Sequence, residues 1–255
     1  MSTLLNTSGV NANTIIEQST NLKAWYPMYE QTDPLIDSST NGNNMDIIEG
    51  AVANVQDYGV GRARYRAAAG NGAFGVTVTT AVDINDNNTN FIVCFRTNIG
   101  ALATTTGGDV WGKSHNAGTG GCHMKYANGR FQYIAGGATQ FQSTFGNYNT
   151  ATDFHVCMVV DRTNGTQTLY KDGVADGTDA TIPTESLDLS TFPFVIGGAG
   201  KAGVVGSNLD GRGDTVDIWD MQVYTTTSAL PANLVSTLIP WLVLNPYKVL
   251  STEQW

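Results

Sequence analysis

The sequence has few charged residues, and most of them are acidic. Asp, Glu, Lys and Arg make up 14% of the 255 residues, and 22 acidic against 13 basic residues give a formal net charge of -9. The densest basic stretch holds only Arg62, Arg64 and Arg66. Phosphate backbones and anionic membrane surfaces repel such a chain, so nucleic-acid binding is not expected.

Long apolar runs are also missing. No run approaches the roughly 20 apolar residues that a helix needs to cross a bilayer. The first six residues, Met1 to Asn6, contain neither a basic segment nor a long apolar one. The sequence therefore predicts no membrane insertion and no secretory signal.

Cysteine is scarce, with Cys94, Cys122 and Cys157 widely spaced. The absence of a Cys-x-x-Cys pair argues against a zinc or redox motif. Cys94 and Cys157 lie inside apolar, strand-like runs, which favours buried free thiols made in a reducing compartment. The alternative is a disulfide, which would join Cys94 to Cys157 on adjacent strands.

Turn residues are abundant, with 29 glycines, and they define three hairpins. Asn-Gly and Asp-Gly supply the positive φ angles that tight hairpin turns require. Residues 122–126 and 130–134 flank Asn128-Gly129, residues 156–161 and 166–170 flank Asn164-Gly165, and residues 169–171 and the run after Val174 flank Asp172-Gly173. The middle of the chain is therefore predicted to form antiparallel sheet.

One helix is expected near the C-terminus. Leu234, Leu238 and Trp241 recur at helical spacing after Pro231, and Pro240 is expected to end or kink the helix. The sequence divides into a polar arm over residues 1–21, a folded domain over residues 22–242 and a tail over residues 243–255.

Nine landmarks in order resemble the laminin-G-like, concanavalin A-like jelly-roll family. The resemblance covers residues 22–240 and implies an all-β, antiparallel jelly-roll β-sandwich with a short C-terminal helix and extended terminal arms. The landmarks are LKAWYP (22–27), DSS (37–39), NGN (41–43), GVGRA (59–63), FIVCF (91–95), FHVCMV (154–159), LYKDG (169–173), VIGG (195–198) and LDGRGDTV (209–216).

Some members of this fold hydrolyse glucans with two carboxylates on one face of a strand. The most acidic strand here carries Asp214, Asp217 and Asp220. Asp217 and Asp220 are three residues apart and point to opposite faces, whereas Asp214 and Asp220 share a face about 20 Å apart. The sequence therefore predicts no catalytic residues.

Calcium is the one cofactor that the resemblance suggests, because the family often holds it at one rim of the sandwich. Asp37, Asp210 and Asp214, with Asn43, would supply hard oxygen ligands. The alternative is that Asp210-Gly211 is a turn and Asp214 is a solvated strand end, in which case no cofactor is bound.

Aromatic side chains offer a possible sugar-stacking surface. Tyr126, Phe131, Tyr133 and Tyr148 lie in the middle hairpin and the loop after it. Strand alternation places Phe131 and Tyr133 on one face. The same stripe suits a buried core.

These features predict a non-enzymatic structural or attachment protein of a tailed-bacteriophage virion, assembled in the host cytoplasm as a capsid decoration or fibre component. The expected partners are capsid or tail proteins, a host surface glycan and further copies of the chain, with a trimer as one form. Residues 245–250, NPYKVL, resemble endings of phage-encoded proteins. The alternative is a bacterial carbohydrate-binding module on a cell surface.

Overall fold

The computed structural model describes residues 18–28, 36–46, 55–57, 63–66, 75–77, 82, 84, 89–99, 108–113, 122–127, 130–135, 148, 152–179, 193–196, 216–252 and 254–255. The strands are β1 (Leu22–Tyr26), β2 (Met45–Asp46), β3 (Val55–Asp57), β4 (Ala63–Arg66), β5 (Gly75–Thr77), β6 (Asn90–Ile99), β7 (Gly108–Lys113), β8 (Cys122–Ala127), β9 (Arg130–Ala135), β10 (Phe154–Asp161), β11 (Thr166–Lys171), β12 (Val174–Asp179), β13 (Val195–Ile196) and β14 (Val216–Thr226).

The strands form two antiparallel sheets. The large sheet has the order β12-β11-β10-β6-β14-β4-β3, and β1 pairs with β14 beside β4. The small sheet has the order β2-β5-β13-β7-β8-β9. Each sheet pairs strands that are far apart in the chain, such as β6 with β14 and β5 with β13, and the chain passes from one sheet to the other several times, as in a jelly roll. The predicted all-β architecture is confirmed.

The three predicted hairpins are present. Ala127 pairs with Arg130, Asp161 pairs with Thr166, and Lys171 pairs with Val174. In the last hairpin the two turn residues, Asp172 and Gly173, both have positive φ angles, of 49° and 82°. This geometry matches the right-handed twist of the strands, which explains why an Asp-Gly pair occupies the turn.

An inner core lies between the sheets. The large sheet contributes side chains such as Phe91, Val93 and Phe95, and the small sheet contributes Trp111 and Met124, all fully buried. Alternation along β6 sends every second residue into this core, as a strand requires. The described inner core is therefore one continuous cluster that joins the two layers.

An outer core covers the opposite face of the large sheet. Ile92 and Cys94 of β6 point to this face. The C-terminal segment, which comprises the described residues from Leu230 to Trp255, packs over them with Leu238, Leu242 and Leu250. Antiparallel sheets often leave one face in water, but here apolar side chains occupy both. The outer core thus makes the C-terminal segment part of the folded unit.

The helical region differs from the prediction. A π-helical turn over Leu234–Leu238 leads into the α-helix α1, Ile239–Leu244, and Pro240 lies in the first turn of α1. Proline is tolerated there because the first amides of a helix have no partner within it. Pro240 therefore begins an α-helix instead of ending one. No helix among the described residues is long and apolar enough to cross a bilayer.

A buried ion pair holds the C-terminal segment on the sheet. The Arg96 guanidinium donates to the backbone oxygens of Leu242 and Val243, at 3.0 and 2.7 Å, and lies 3.6 Å from the Asp220 carboxylate. Asp220 Oδ2 accepts the backbone N–H of Tyr247 at 2.7 Å. The sheet and the segment are thus joined by charge-assisted hydrogen bonds in the interior.

Two of the three cysteines are not the free thiols that the sequence favoured. A disulfide joins Cys94 and Cys157, whose Cα atoms are 4.1 Å apart because β6 and β10 pair with these residues directly opposite each other. This bond is the alternative that the sequence left open, between Cys94 and Cys157 on adjacent strands. Cys122 is a buried free thiol.

The tail residue Leu250 tests the outer core. We expect Leu250→Ala to lower the free energy of unfolding by about 2 to 4 kcal/mol, because a fully buried leucine would be replaced by a cavity. Val235→Ala, at a position 48% exposed, should change it by less than about 0.5 kcal/mol. Urea denaturation, monitored by tryptophan fluorescence, measures the free energy of unfolding of both variants. Equal losses of stability in the two variants would show that the tail does not pack on the sheet.

The disulfide is expected to stabilise the fold by restricting the unfolded chain. It spans a sequence separation of 63, so its reduction should lower the free energy of unfolding by about 3 to 4 kcal/mol. Denaturation with and without dithiothreitol measures the difference. The double variant Cys94→Ala/Cys157→Ala should be insensitive to the reductant, and an insensitive wild type would mean that the bond does not form.

Candidate functional site

The four predicted sugar-stacking aromatics lie in the inner core. Tyr126, Phe131, Tyr133 and Tyr148 are between 0% and 3% exposed. The Phe131 ring lies 5.3 Å from the Tyr126 ring and 5.5 Å from the Tyr148 ring, centroid to centroid. Alternation correctly placed Phe131 and Tyr133 on one face, but that face packs against the large sheet. These side chains therefore stabilise the sandwich and offer no ring to a ligand.

The free thiol in this core is unreactive at neutral pH. Cys122 Sγ lies 3.1 Å from the Tyr133 hydroxyl, and burial raises the pKa of Cys122 to about 12. A thiol needs its thiolate form to act as a nucleophile. Cys122 is thus a packing residue at neutral pH.

Asp37, the first proposed calcium ligand, organises a loop instead. Its Oδ1 accepts the backbone N–H groups of Trp25 and Ser39, at 2.9 and 2.8 Å. Its Oδ2 accepts the Ser39 hydroxyl and the Asn43 N–H, both at 2.8 Å. Four donors occupy the lone pairs that a calcium ion would need, so Asp37 does not fit a calcium site. Asp210 and Asp214 lie outside the described residues.

The Asp37 loop contributes to a polar corner formed by Gln18, residues 38–42, Ser251, Thr252 and Trp255. The Gln18 side chain accepts the Thr40 N–H at 3.1 Å and donates to the Ser38 oxygen at 3.2 Å. The Thr252 hydroxyl donates to the Gln18 backbone oxygen at 2.9 Å. These bonds bring three distant parts of the chain to one place.

The polar corner combines fixed polar groups with one aromatic ring. Thr40, Asn41 and Thr252 are exposed, and Trp255 is partly exposed. The Trp255 ring stacks on Tyr224 with centroids 5.3 Å apart, and its indole N–H faces the Asn21 side-chain amide. A few well-placed hydroxyl and amide groups beside an aromatic surface suit a polar ligand such as a sugar.

Sequence reasoning missed this corner because its parts come from the predicted arm, an early loop and the predicted tail. Gln18 pairs with Ser251 in an isolated antiparallel bridge, although the two residues are 233 positions apart in the sequence. The only hint of this site in the sequence was a large aromatic residue, Trp255, within an otherwise polar stretch. Nothing in that stretch indicates which strand or loop it contacts.

Several described carboxylates accept hydrogen bonds from other parts of the chain and so stabilise the fold. Asp153 accepts the Asn98 amide at 2.7 Å, Asp161 accepts the Asn164 N–H at 3.0 Å, and Asp172 accepts the His155 N–H at 2.9 Å. Asp220 accepts the Trp25 indole N–H at 2.9 Å. Burial raises the pKa of Asp220, and its hydrogen bonds to Tyr247 and Trp25 oppose that rise.

His155 is a buried residue of the outer core. Its Nδ1 atom lies 3.9 Å from the Cys157 sulfur. Burial, with a smaller contribution from the nearby Arg96 charge, lowers the pKa of His155 to about 3. The imidazole is therefore neutral at physiological pH, as desolvation of a histidine predicts.

Comparison with solved structures supports the fold. The binding domain of Paraclostridial Mosquitocidal Protein 1 aligns with a TM-score of 0.58 at 13% identity, over 86% of this chain and 52% of that one. The receptor binding domain of botulinum neurotoxin D gives 0.58 at 15%, over 88% and 53%. Trypanosoma rangeli sialidase gives 0.56 at 14%, over 87% and 32%.

The chain has a lectin-like β-sandwich fold. This lectin-like β-sandwich spans about half the length of the two binding domains and a third of the sialidase chain. No protein-family model matches the sequence, and no curated protein matches it. At such low identity the likeness concerns the fold, since one fold hosts many functions.

Acid should destabilise the lectin-like β-sandwich through His155. The unfolded imidazole titrates near 6.5 and the folded one near 3, so below pH 6.5 the unfolded state binds the extra proton. This contribution is absent above pH 6.5 and reaches about 2 kcal/mol of lost stability by pH 5. Urea denaturation at pH 7.5 and 5.0 measures it. In His155→Asn, the loss of unfolding free energy between pH 7.5 and 5.0 should be smaller by about 2 kcal/mol. An unchanged loss would contradict the role given to His155.

Proposed function

We propose that this protein is a non-enzymatic attachment protein whose lectin-like β-sandwich binds a carbohydrate at the polar corner. The observation that carries the proposal is the corner itself, an exposed set of hydroxyl and amide groups beside a partly exposed indole. The fold likeness to toxin binding domains supports a recognition role.

Rigidity is the second support for carbohydrate binding. Asp37 accepts four hydrogen bonds within its loop, and the Asn41 side chain donates to the Leu22 oxygen at 2.7 Å. A loop held in this way loses little conformational freedom when a ligand binds. The corner is therefore preorganised for a ligand.

The carboxylates support a role without catalysis. Glycoside hydrolysis requires two carboxyl groups that face the same bond, about 5 to 10 Å apart. Asp37, Asp161, Asp172 and Asp220 instead accept backbone or indole N–H groups that maintain turns and the C-terminal segment. Changing any of them would alter folding before it altered chemistry.

The setting that we propose is the virion of a tailed bacteriophage, in a capsid decoration or a fibre. A homo-oligomer, for instance a trimer, would contact capsid or tail proteins and present the polar corner to a glycan on the host. The NPYKVL segment at residues 245–250, which resembles segments of phage-encoded proteins, supports this setting.

A bacterial carbohydrate-binding module on a cell surface is the second candidate. The Cys94–Cys157 disulfide favours it, because disulfides persist in oxidising compartments. Quantitative mass spectrometry of purified particles separates the two settings. A fixed copy number per particle supports the virion protein, and its absence from particles together with presence on cell surfaces supports the module.

Carbohydrate binding is tested with the full chain on a glycan microarray, followed by calorimetry with the best ligand. We expect Trp255→Ala and Thr40→Arg each to weaken binding by about tenfold or more, since one removes the ring and the other blocks the loop. Val235→Arg, at an exposed site on the π-helical turn, is the matched control and should bind normally.

Circular dichroism of each variant verifies folding. If Trp255→Ala and Thr40→Arg fold and bind as the wild type does, the ligand does not bind at the polar corner. If the wild type binds no glycan at millimolar concentration, the carbohydrate proposal fails.

A further inference from the structure

Three metal-ligating side chains meet in the outer core. Cys94, His155 and Cys157 each offer a ligand atom, and these atoms all lie within 4.8 Å of one another. Cys94 and Cys157 face each other across β6 and β10, and His155 precedes Cys157 by two residues, so its side chain lies on the same face. All three side chains are buried.

The strand pairing keeps these donors together whether or not the sulfurs are bonded. Reduction by a small-molecule dithiol breaks the S–S bond, adds two electrons and two protons to the cysteines, and converts the dithiol to its own disulfide. The backbone register between β10 and β6 extends from Phe154 to Val160, three residues to either side of Cys157, so we expect it to persist when the bond is broken. The reduced chain therefore presents two thiols and one imidazole at a single point.

We propose that the reduced protein binds one Cu⁺ ion through the two sulfurs of Cys94 and Cys157 and a ring nitrogen of His155. On binding, both thiols lose their protons to solvent and each sulfur donates an electron pair to the ion, whose oxidation state is unchanged. The disulfide form cannot bind in this way, because its sulfurs carry no negative charge. The same two cysteines thus form either a covalent link or a metal site.

The donor set favours Cu⁺ over other ions. Thiolates and imidazole are soft or intermediate ligands, which excludes calcium and magnesium. Structural zinc almost always takes four ligands in a tetrahedron, whereas the described cluster offers three. Ile92 and Val159, two residues along β6 and β10 from the two cysteines, contribute apolar side chains to the same face.

A positive charge lies near the proposed site. Two thiolates, one neutral imidazole and Cu⁺ carry a net charge of -1. Arg96 lies opposite His155 in the β6–β10 register, and its positive charge acts on the imidazole. A guanidinium nearby stabilises an anionic complex in a medium of low dielectric constant.

The cover over the site would protect the ion. Leu242 of α1 belongs to the same apolar cluster, and Arg96 donates to its backbone oxygen at 3.0 Å. An apolar shell limits the access of water and oxidants to a bound metal. The ion would enter while the C-terminal segment is undocked, so binding should stabilise the docked, folded state.

The test uses the full chain, reduced with dithiothreitol, freed of reductant anaerobically and titrated with Cu⁺ in acetonitrile against the chromophoric chelator bicinchoninate. We expect one equivalent to bind, with two sulfur and one nitrogen neighbours in X-ray absorption spectra. The oxidised chain should bind none. Cys94→Ser should abolish binding, and His155→Ala should weaken it by about tenfold or more.

Cys122→Ser is the matched control, since this cysteine lies in the inner core, and it should bind as the wild type does. Near-UV circular dichroism follows folding throughout. If reduction alone unfolds the chain, one equivalent of Cu⁺ should restore the native spectrum. The proposal would be overturned if the oxidised chain bound Cu⁺ equally well, or if Cys122→Ser lost binding. It would also be overturned if the absorption spectra showed no sulfur neighbours, or if the reduced chain neither bound Cu⁺ nor refolded in its presence.

Discussion

The structure depends on the need to cover both faces of the large sheet. Along β6, Phe91, Val93 and Phe95 enter the inner core, while Ile92 and Cys94 enter the outer core. The small sheet covers one face, and among the described residues the C-terminal segment covers the other. Because apolar burial is the main driving force of folding, this segment is a structural layer of the domain.

The segment is positioned by charge as well as by apolar contact. A bulge in β14 between Trp219 and Gln222 accompanies the positive φ of Asp220, whose carboxylate then reaches Arg96, Trp25 and the backbone of Tyr247. A buried carboxylate is costly unless several donors satisfy it, and here they do. The docked segment carries Ser251, Thr252 and Trp255 to the polar corner, where we propose that a ligand binds.

The outer core also links redox state to the candidate functions. The Cys94–Cys157 bond favours an oxidising setting, such as the cell surface of the second proposed function. His155, two residues from Cys157, turns the same cysteines into a ligand set once they are reduced. One pair of opposed strands thus sets both the oxidised and the reduced chemistry of this face.

The sequence by itself determined the features that act over a few residues. The Asp172-Gly173 turn and the side-chain alternation of β9 were predicted because turn chemistry and strand periodicity are local. Tertiary structure alone decided that Phe131 faces inward, that Cys94 meets Cys157, and that Gln18 meets Ser251. These outcomes depend on strand register and layer packing between residues far apart in the chain, and no short pattern encodes them.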